Sequence, residues 1–247
     1  RKNTFVTFRL SKFKFKVDIF RDIMRVGFPA SLQQMSISLQ MMLMTVVVAI
    51  VGGVNGVAVF STGWRIVMVS VLPLMGIASA LIPVAGAAFG ARKFKKLKLS
   101  LYHAIRYGLI MEMGMSVLIF ILASYIAIAF TWAPGSRDLR SDLIIFLRMF
   151  SLMSFAAAFG MLSGATFQAT GKGFYSLAVT IMRTIIFSLT FAVLFGIVLD
   201  WGLIGVWAGI LTGNALGAII SFIWAQLYIK GLISGKIKPE TIPGRKI

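Results

Sequence analysis

The sequence predicts an all-α polytopic membrane protein in which six transmembrane helices form one bundle. Three observations carry this. The first is composition: of 247 residues, 59% are hydrophobic and only 13% are charged, with a mean hydropathy of +0.93. A soluble fold of this length needs far more polar surface, because much of its exterior stays wet. The second is the length of the apolar runs, which is about three times that of barrel strands. Helices close their own backbone hydrogen bonds and are the form lipid admits for such runs. The third is where the basic residues fall. Twenty of 25 Lys and Arg lie in 1–25, in 92–106, at Lys172 and in 230–246, between the apolar runs.

Each element follows from the requirement of roughly 20 apolar residues per crossing. Residues 1–25 form a basic interfacial linker, in which Phe13, Phe15 and Val17 alternate with Lys12, Lys14 and Lys16. Alternation of this kind suits an extended edge or a stretch lying along an anionic leaflet. The transmembrane lobe is expected over 26–232. Its spans are about 26–51, 57–91, 99–130, 139–169, 173–199 and 202–229, and a basic tail fills 233–247. The connectors are short: 52–56, 92–98, 131–138, 170–172 and Asp200-Trp201. Because basic residues mark cytoplasmic loops, both termini are expected in the cytoplasm of a cell-membrane protein. The chain opens on Arg1 rather than Met, as a piece of a longer protein does.

Packing residues are legible within the spans. The sixth carries Gly205, Gly209, Gly213 and Gly217, and Gly86/Gly90 and Gly160/Gly164 repeat the spacing of four. Small residues at this spacing let helix backbones approach closely, which predicts packing inside the bundle. Pro73 and Pro83 interrupt the hydrogen-bond ladder of the second span and are candidate hinge residues.

Composition also excludes functions. With no Cys and one His (His103), thiolate and multi-histidine metal centres are ruled out. None of the nucleotide-cradling, zinc-protease or nucleophile-elbow patterns is present, so the chain is not expected to be an enzyme. The net charge of +18 sits in loops flanking apolar spans, and no nucleic-acid module accompanies it.

Candidate functional residues are the polar ones at membrane depth, where charges are costly and face a cavity or a partner. Glu112 is the acid placed well inside a span. It is expected to pair with an arginine, Arg183 being deep enough, or alternatively to bind a proton or cation as a coupling group. Arg65 and Arg148 lie near helix ends, where their stems reach the interface, and are further candidates for pairing or coupling. In the first span, Gln34, Ser38 and Thr45 share a face with Ser31, while Gln33, Ser36 and Gln40 take the opposite one. Two polar faces on one membrane helix predict that one lines a wet cavity. With Met41 among them, Gln34, Ser38 and Thr45 are the candidate substrate-binding residues, since methionine suits a promiscuous apolar surface.

The order of motifs resembles the MATE (multidrug and toxic compound extrusion) transporters. Arg25-Val26-Gly27-Phe28-Pro29-Ala30 resembles the opening of one six-helix half. Trp64-Arg65-Ile66, Pro73-Leu74-Met75-Gly76-Ile77, Pro83-Val84-Ala85-Gly86 and Gly90-Ala91-Arg92 resemble its second helix. Phe146-Leu147-Arg148, Phe167-Gln168-Ala169-Thr170-Gly171 and Met182-Arg183-Thr184 are similar to its fourth and fifth, and Gly202-Leu203-Ile204-Gly205-Val206-Trp207 to the start of its sixth. The resemblance covers about 20–232 and points to the C-terminal lobe, closest to the archaeal or DinF-like branch.

It implies one half of a twelve-helix transporter, the second lobe of a cation-coupled multidrug efflux antiporter that rocks between two access states. The implied partners are an N-terminal six-helix lobe, the bilayer and apolar cationic small molecules. No cofactor is implied beyond a coupling Na⁺ or H⁺ bound mainly by the N-terminal lobe. In the NorM-like branch, coupling carboxylates sit on the first and fourth helices of this lobe. Here the first helix offers Gln33 and Gln34, and the fourth has Asp142 at its edge. A lipid-linked precursor flippase of the same superfamily and a non-transporting membrane subunit are the alternatives.

Overall fold

The computed structural model describes residues 17–132, 134–153 and 155–237, and all regular structure among them is helical. Residues 1–16 of the predicted linker and 238–247 of the predicted tail lie outside the described residues.

Helix α1 (Val17–Gly90) takes in the first two predicted spans and begins inside the stretch expected to be linker. Its one non-helical residue is Gly53, at φ 57° and ψ −152°. That region of backbone space is open to glycine because it has no Cβ. In a straight helix Val48 and Gly56 would stand about 12 Å apart along the axis. Here a Cβ at Gly56 would meet Val48 Cγ1 at 3.4 Å, and Trp64 and Met68 face Met41 and Thr45. The arms 17–52 and 54–90 therefore form a hairpin. A single glycine makes the turn where the sequence suggested a five-residue connector.

The remaining elements follow in order. Helix α2 is Phe94–Phe130. After a 3₁₀ turn at Pro134–Leu139 come α3 (Arg140–Met153) and α4 (Phe155–Ala169). These two are bent by 54°, so the fourth crossing is a broken one. Helix α5 (Gly173–Ile181) runs on through a π-wound stretch, Met182–Leu189, then α6 (Thr190–Val193) and a second π stretch, Leu194–Val198. The wider winding shows in the Leu199 N–H, which reaches the Leu194 carbonyl five residues back, at 2.8 Å. Helix α7 is Gly202–Ile233. Counting the two arms of α1 and one broken crossing, six spans traverse the bundle.

Two apolar cores stack along the bundle axis. One lies at the Gly53 end, built from Met44, Val48, Phe60, Ile119, Phe146 and Trp207 with their neighbours. The other lies at the Lys172 end, from Leu74, Leu97, Leu101, Leu162, Phe167 and Ile229. Between them in chain order, on the second to sixth crossings, come buried polar groups, including Ser70, Glu112, Thr184 and Ser188.

The glycine stripe of α7 packs inside the bundle. A Cβ at Gly205, Gly209, Gly213 or Gly217 would strike, respectively, Phe195, Phe191 and Ala192, Phe187 and Ser188, or Arg183, mostly at backbone atoms. The broad π-wound crossing thus lies directly on a helix stripped of side chains. The other small pairs differ. Gly160 faces Arg183 and Gly164 faces Ser176, whereas Gly86 approaches the Ala169 carbonyl and Gly90 meets nothing within 4 Å. Helix α1 runs through Pro73 and Pro83 with helical backbone angles. The large bend is in the fourth crossing, between Met153 and Phe155, with no proline at the break.

Candidate functional site

Polar side chains that join different crossings gather at the Lys172 end. Gln33 Nε2 donates to Thr180 Oγ1 at 2.6 Å. Gln168 Nε2 donates to Gln33 Oε1 at 2.9 Å and also to Ser176 Oγ at 3.3 Å. Ser176 Oγ donates in turn to Gln33 Oε1 at 3.4 Å. Arm 17–52, the end of α4 and the start of α5 are knotted together through these four residues. Ser176 and Thr180 are buried, as satisfied polar groups in a bundle interior must be. The sequence carried a signal for this in Ser176, Thr180, Thr184 and Ser188, which repeat at a spacing of four and are all buried.

The first span presents its two polar faces to different surroundings. Gln33 and Gln40 turn inward, Gln40 being buried. Gln34 and Ser38 are exposed, and the hydroxyls of Ser31, Ser38 and Thr45 fold back onto carbonyls four residues earlier in the same helix. Ser38, Met41 and Thr45 line an open groove of about 380 Å³ between the arms of α1, together with Gln40, Trp64 and Met68. Gln34 is not among its walls. The groove is amphipathic, with indole, thioether and amide groups along one opening.

The expected ion pair between Glu112 and Arg183 is not formed. Both carboxyl oxygens of the buried Glu112 lack a hydrogen-bond partner, as does Arg183 Nε. The reason is α4. At 100° per residue, Ala158 and Leu162 share one face, whereas Gly160 lies 200° from Ala158. Ala158 and Leu162 pack on Gly108, one turn from Glu112, while Gly160 packs on Arg183. The helix therefore stands between acid and base. Arg65 is exposed, and Arg148 is exposed with its guanidinium 5.5 Å from the Phe120 ring centroid. Arg65 stands eleven residues past Val54, well inside its arm rather than at a helix end, and Arg148 five residues before the end of α3. His103 is exposed beside Tyr107.

The sequence model of the MatE family matches residues 29–199. The chain belongs to the MatE family. Solved structures of the family agree closely with this chain. An outward-facing multidrug resistance MATE family transporter of the MOP superfamily is 38% identical, with a TM-score of 0.90 over 95% of this chain. An inward-facing conformation of such a transporter is 37% identical, with a TM-score of 0.83 over 96%. A MOP superfamily transporter from Pyrococcus furiosus Vc1, described as having a binding pocket of reverse polarity that suggests a different function, is 38% identical with a TM-score of 0.90 over 94%. The chain spans about half the length of these structures, 52%, 54% and 51% respectively. No curated protein matches the chain. The chain is thus a multi-pass membrane protein of a transporter family.

Proposed function

We propose that this MatE lobe is the second half of a cation-coupled multidrug efflux antiporter, working against an N-terminal six-helix lobe in the cell membrane with both termini cytoplasmic. The observation that carries the reading is the fit of one six-crossing unit to about half of MATE transporters solved in both outward-facing and inward-facing conformations. A unit that fits both states moves largely as a body, which is what rocking alternating access requires. The groove of Ser38, Met41 and Thr45 supplies one wall of a chamber for apolar cationic molecules, and the facing lobe supplies the other. Na⁺ or H⁺ drives export through groups held mainly in that N-terminal lobe.

The test is transport in proteoliposomes under imposed Na⁺ and H⁺ gradients, followed with a fluorescent cationic dye. Residues 1–247 alone should move no dye, because one wall makes no chamber and no coupling group changes state between conformations. The chain joined to a six-helix N-terminal lobe should move it. Gradient-dependent movement by residues 1–247 alone, abolished by Glu112→Gln, would overturn the half-transporter reading and make Glu112 the coupling group.

A further inference from the structure

We propose that Arg183 heads an oxyanion-binding slot inside this lobe, on the polar seam that leads to it from Lys172, suited to a phosphate or carboxylate group. This goes beyond the cation-export reading, because it assigns the lobe a ligand of opposite charge.

The first support is the state of the side chain itself. Arg183 lies ten residues past Gly173, about 15 Å into its crossing and so near the middle of the hydrocarbon. A guanidinium carries five donors in a planar fork and keeps its charge, so at this depth it demands acceptors. None of the described residues gives it a hydrogen bond or an ion pair. Its Nε is sealed in, while the residue as a whole is only half-buried.

The second support is that the surrounding helices make room for the fork. A Cβ at Gly217 would lie 2.7 Å from Arg183 Cγ, so α7 grips the stem. A Cβ at Gly160 would lie 2.9 Å from Arg183 Nη1 and 3.4 Å from Ala218 Cβ, so α4 is hollowed at the tip. These two glycines accommodate one arginine rather than merely bringing helices together.

The third support is a polar seam that leads to the guanidinium. Lys172, Ser176, Thr180 and Arg183 fall within about 80° of one another around the crossing. Lys172 stands at its start, with Nζ 5.7 Å from the Tyr175 ring centroid. Ser176 and Thr180 are bonded to Gln33 and Gln168, which bring further amide and hydroxyl groups to the same seam. The stretch from Lys172 to Arg183 contains no acid and carries the hydroxyls of Ser176 and Thr180 between its two cations, with the Gln33 and Gln168 amides beside them. That is chemistry suited to an anionic group, since oxyanions are bound by charge-assisted hydrogen bonds from such a fork.

The ligand chemistry has two sources, an anionic lipid headgroup and a soluble oxyanion. The test takes the whole protein bearing this chain, purified in neutral detergent, and titrates it separately with inorganic phosphate and with phosphatidylglycerol, using phosphatidylcholine as the neutral control. Thermal shift reads binding of both, and native mass spectrometry counts retained lipid. Neither readout depends on transport, so its failure is separate from failure of the export reading. Binding of phosphatidylglycerol alone assigns the slot to lipid, binding of phosphate alone assigns it to a soluble anion, and binding of both leaves the shared oxyanion as ligand. In each case Arg183→Gln should weaken the apparent affinity at least tenfold, and Arg183→Lys, which keeps a point charge without the fork, should weaken it less. Gly160→Ala should also weaken it by crowding Nη1, and it carries the test if Arg183→Gln does not fold. Absence of binding to either probe overturns the proposal, as does binding that Arg183→Gln or, in its place, Gly160→Ala leaves unchanged.

Discussion

At the Gly53 end of the lobe, Phe60 stacks on Trp207 with ring centroids 5.6 Å apart and planes 9° apart, and Phe146 meets the same indole edge-on at 4.9 Å. Trp207, Phe60 and Phe146 are fully buried, drawn from three crossings, and held by dispersion and ring geometry. At the Lys172 end the crossings also share aromatic contacts, such as Phe167 with Trp224 at 5.5 Å. There, however, arm 17–52 is tied in by Gln33, Gln168, Ser176 and Thr180. Ring packing of the first kind has one good arrangement and nothing to replace it. A hydrogen bond of the second kind exchanges readily for one to water, a headgroup or another amide. The first end is therefore the fixed one and the second the adaptable one, and the glycine-backed π crossing joins them.

The largest effect is expected where that joint is forced apart. Gly213→Leu drives a side chain into the Ser188 and Phe187 backbone, 2.6 Å from the Phe187 carbonyl carbon. Because backbone cannot rotate away, the cost should reach about 3 kcal/mol or more, at or above the usual range for overpacking. The check is thermal unfolding of the purified protein. Unchanged stability would show that the stripe meets lipid.

Trp207→Ala tests the fixed end. Removing the indole leaves a cavity between Phe60 and Phe146, with an expected loss of about 3–5 kcal/mol, at most comparable to the glycine variant when the latter unfolds the lobe. Cysteine accessibility within the Gly53 end, which is convenient because the sequence has no Cys, should rise with it. A loss below about 1 kcal/mol would mean that the ring cluster does not lock this end.

Gln33→Leu tests the adaptable end and should cost least, about 0.5–1.5 kcal/mol, the scale of single interhelical hydrogen bonds in membranes. Its readout is hydrogen exchange at the start of α5, which should quicken while the Gly53 end stays protected. Equal quickening at both ends would erase the distinction between them.

Some of this was plain in the order of residues. Six apolar runs, their approximate ends, the basic loops between them and the glycine stripe of the last crossing are properties of local sequence. Helix formation in lipid depends on length and hydropathy alone, since no other partner exists for the backbone. The site was less legible. That Gln33 and not Gln34 enters the polar knot depends on how the first helix is turned about its axis. A turn of 100° separates the two, and only the neighbours fix it. Glu112 and Arg183 stand at comparable depth and of opposite sign, which in one dimension reads as a pair. Tertiary structure places α4 between them, because Ala158 and Leu162 fit the notch at Gly108 while Gly160 fits the guanidinium. The turn at Gly53 belongs to the same class. A glycine in a run of Val51, Gly52, Gly53 and Val54 marks flexibility, but that the hairpin closes within one residue, with Leu203 of α7 packed against Gly52 and Gly56, is visible only in the fold. Sequence thus determined which segments cross the membrane, because that choice is made between each segment and lipid. Tertiary structure decided which side chains meet, because that choice is made between segments.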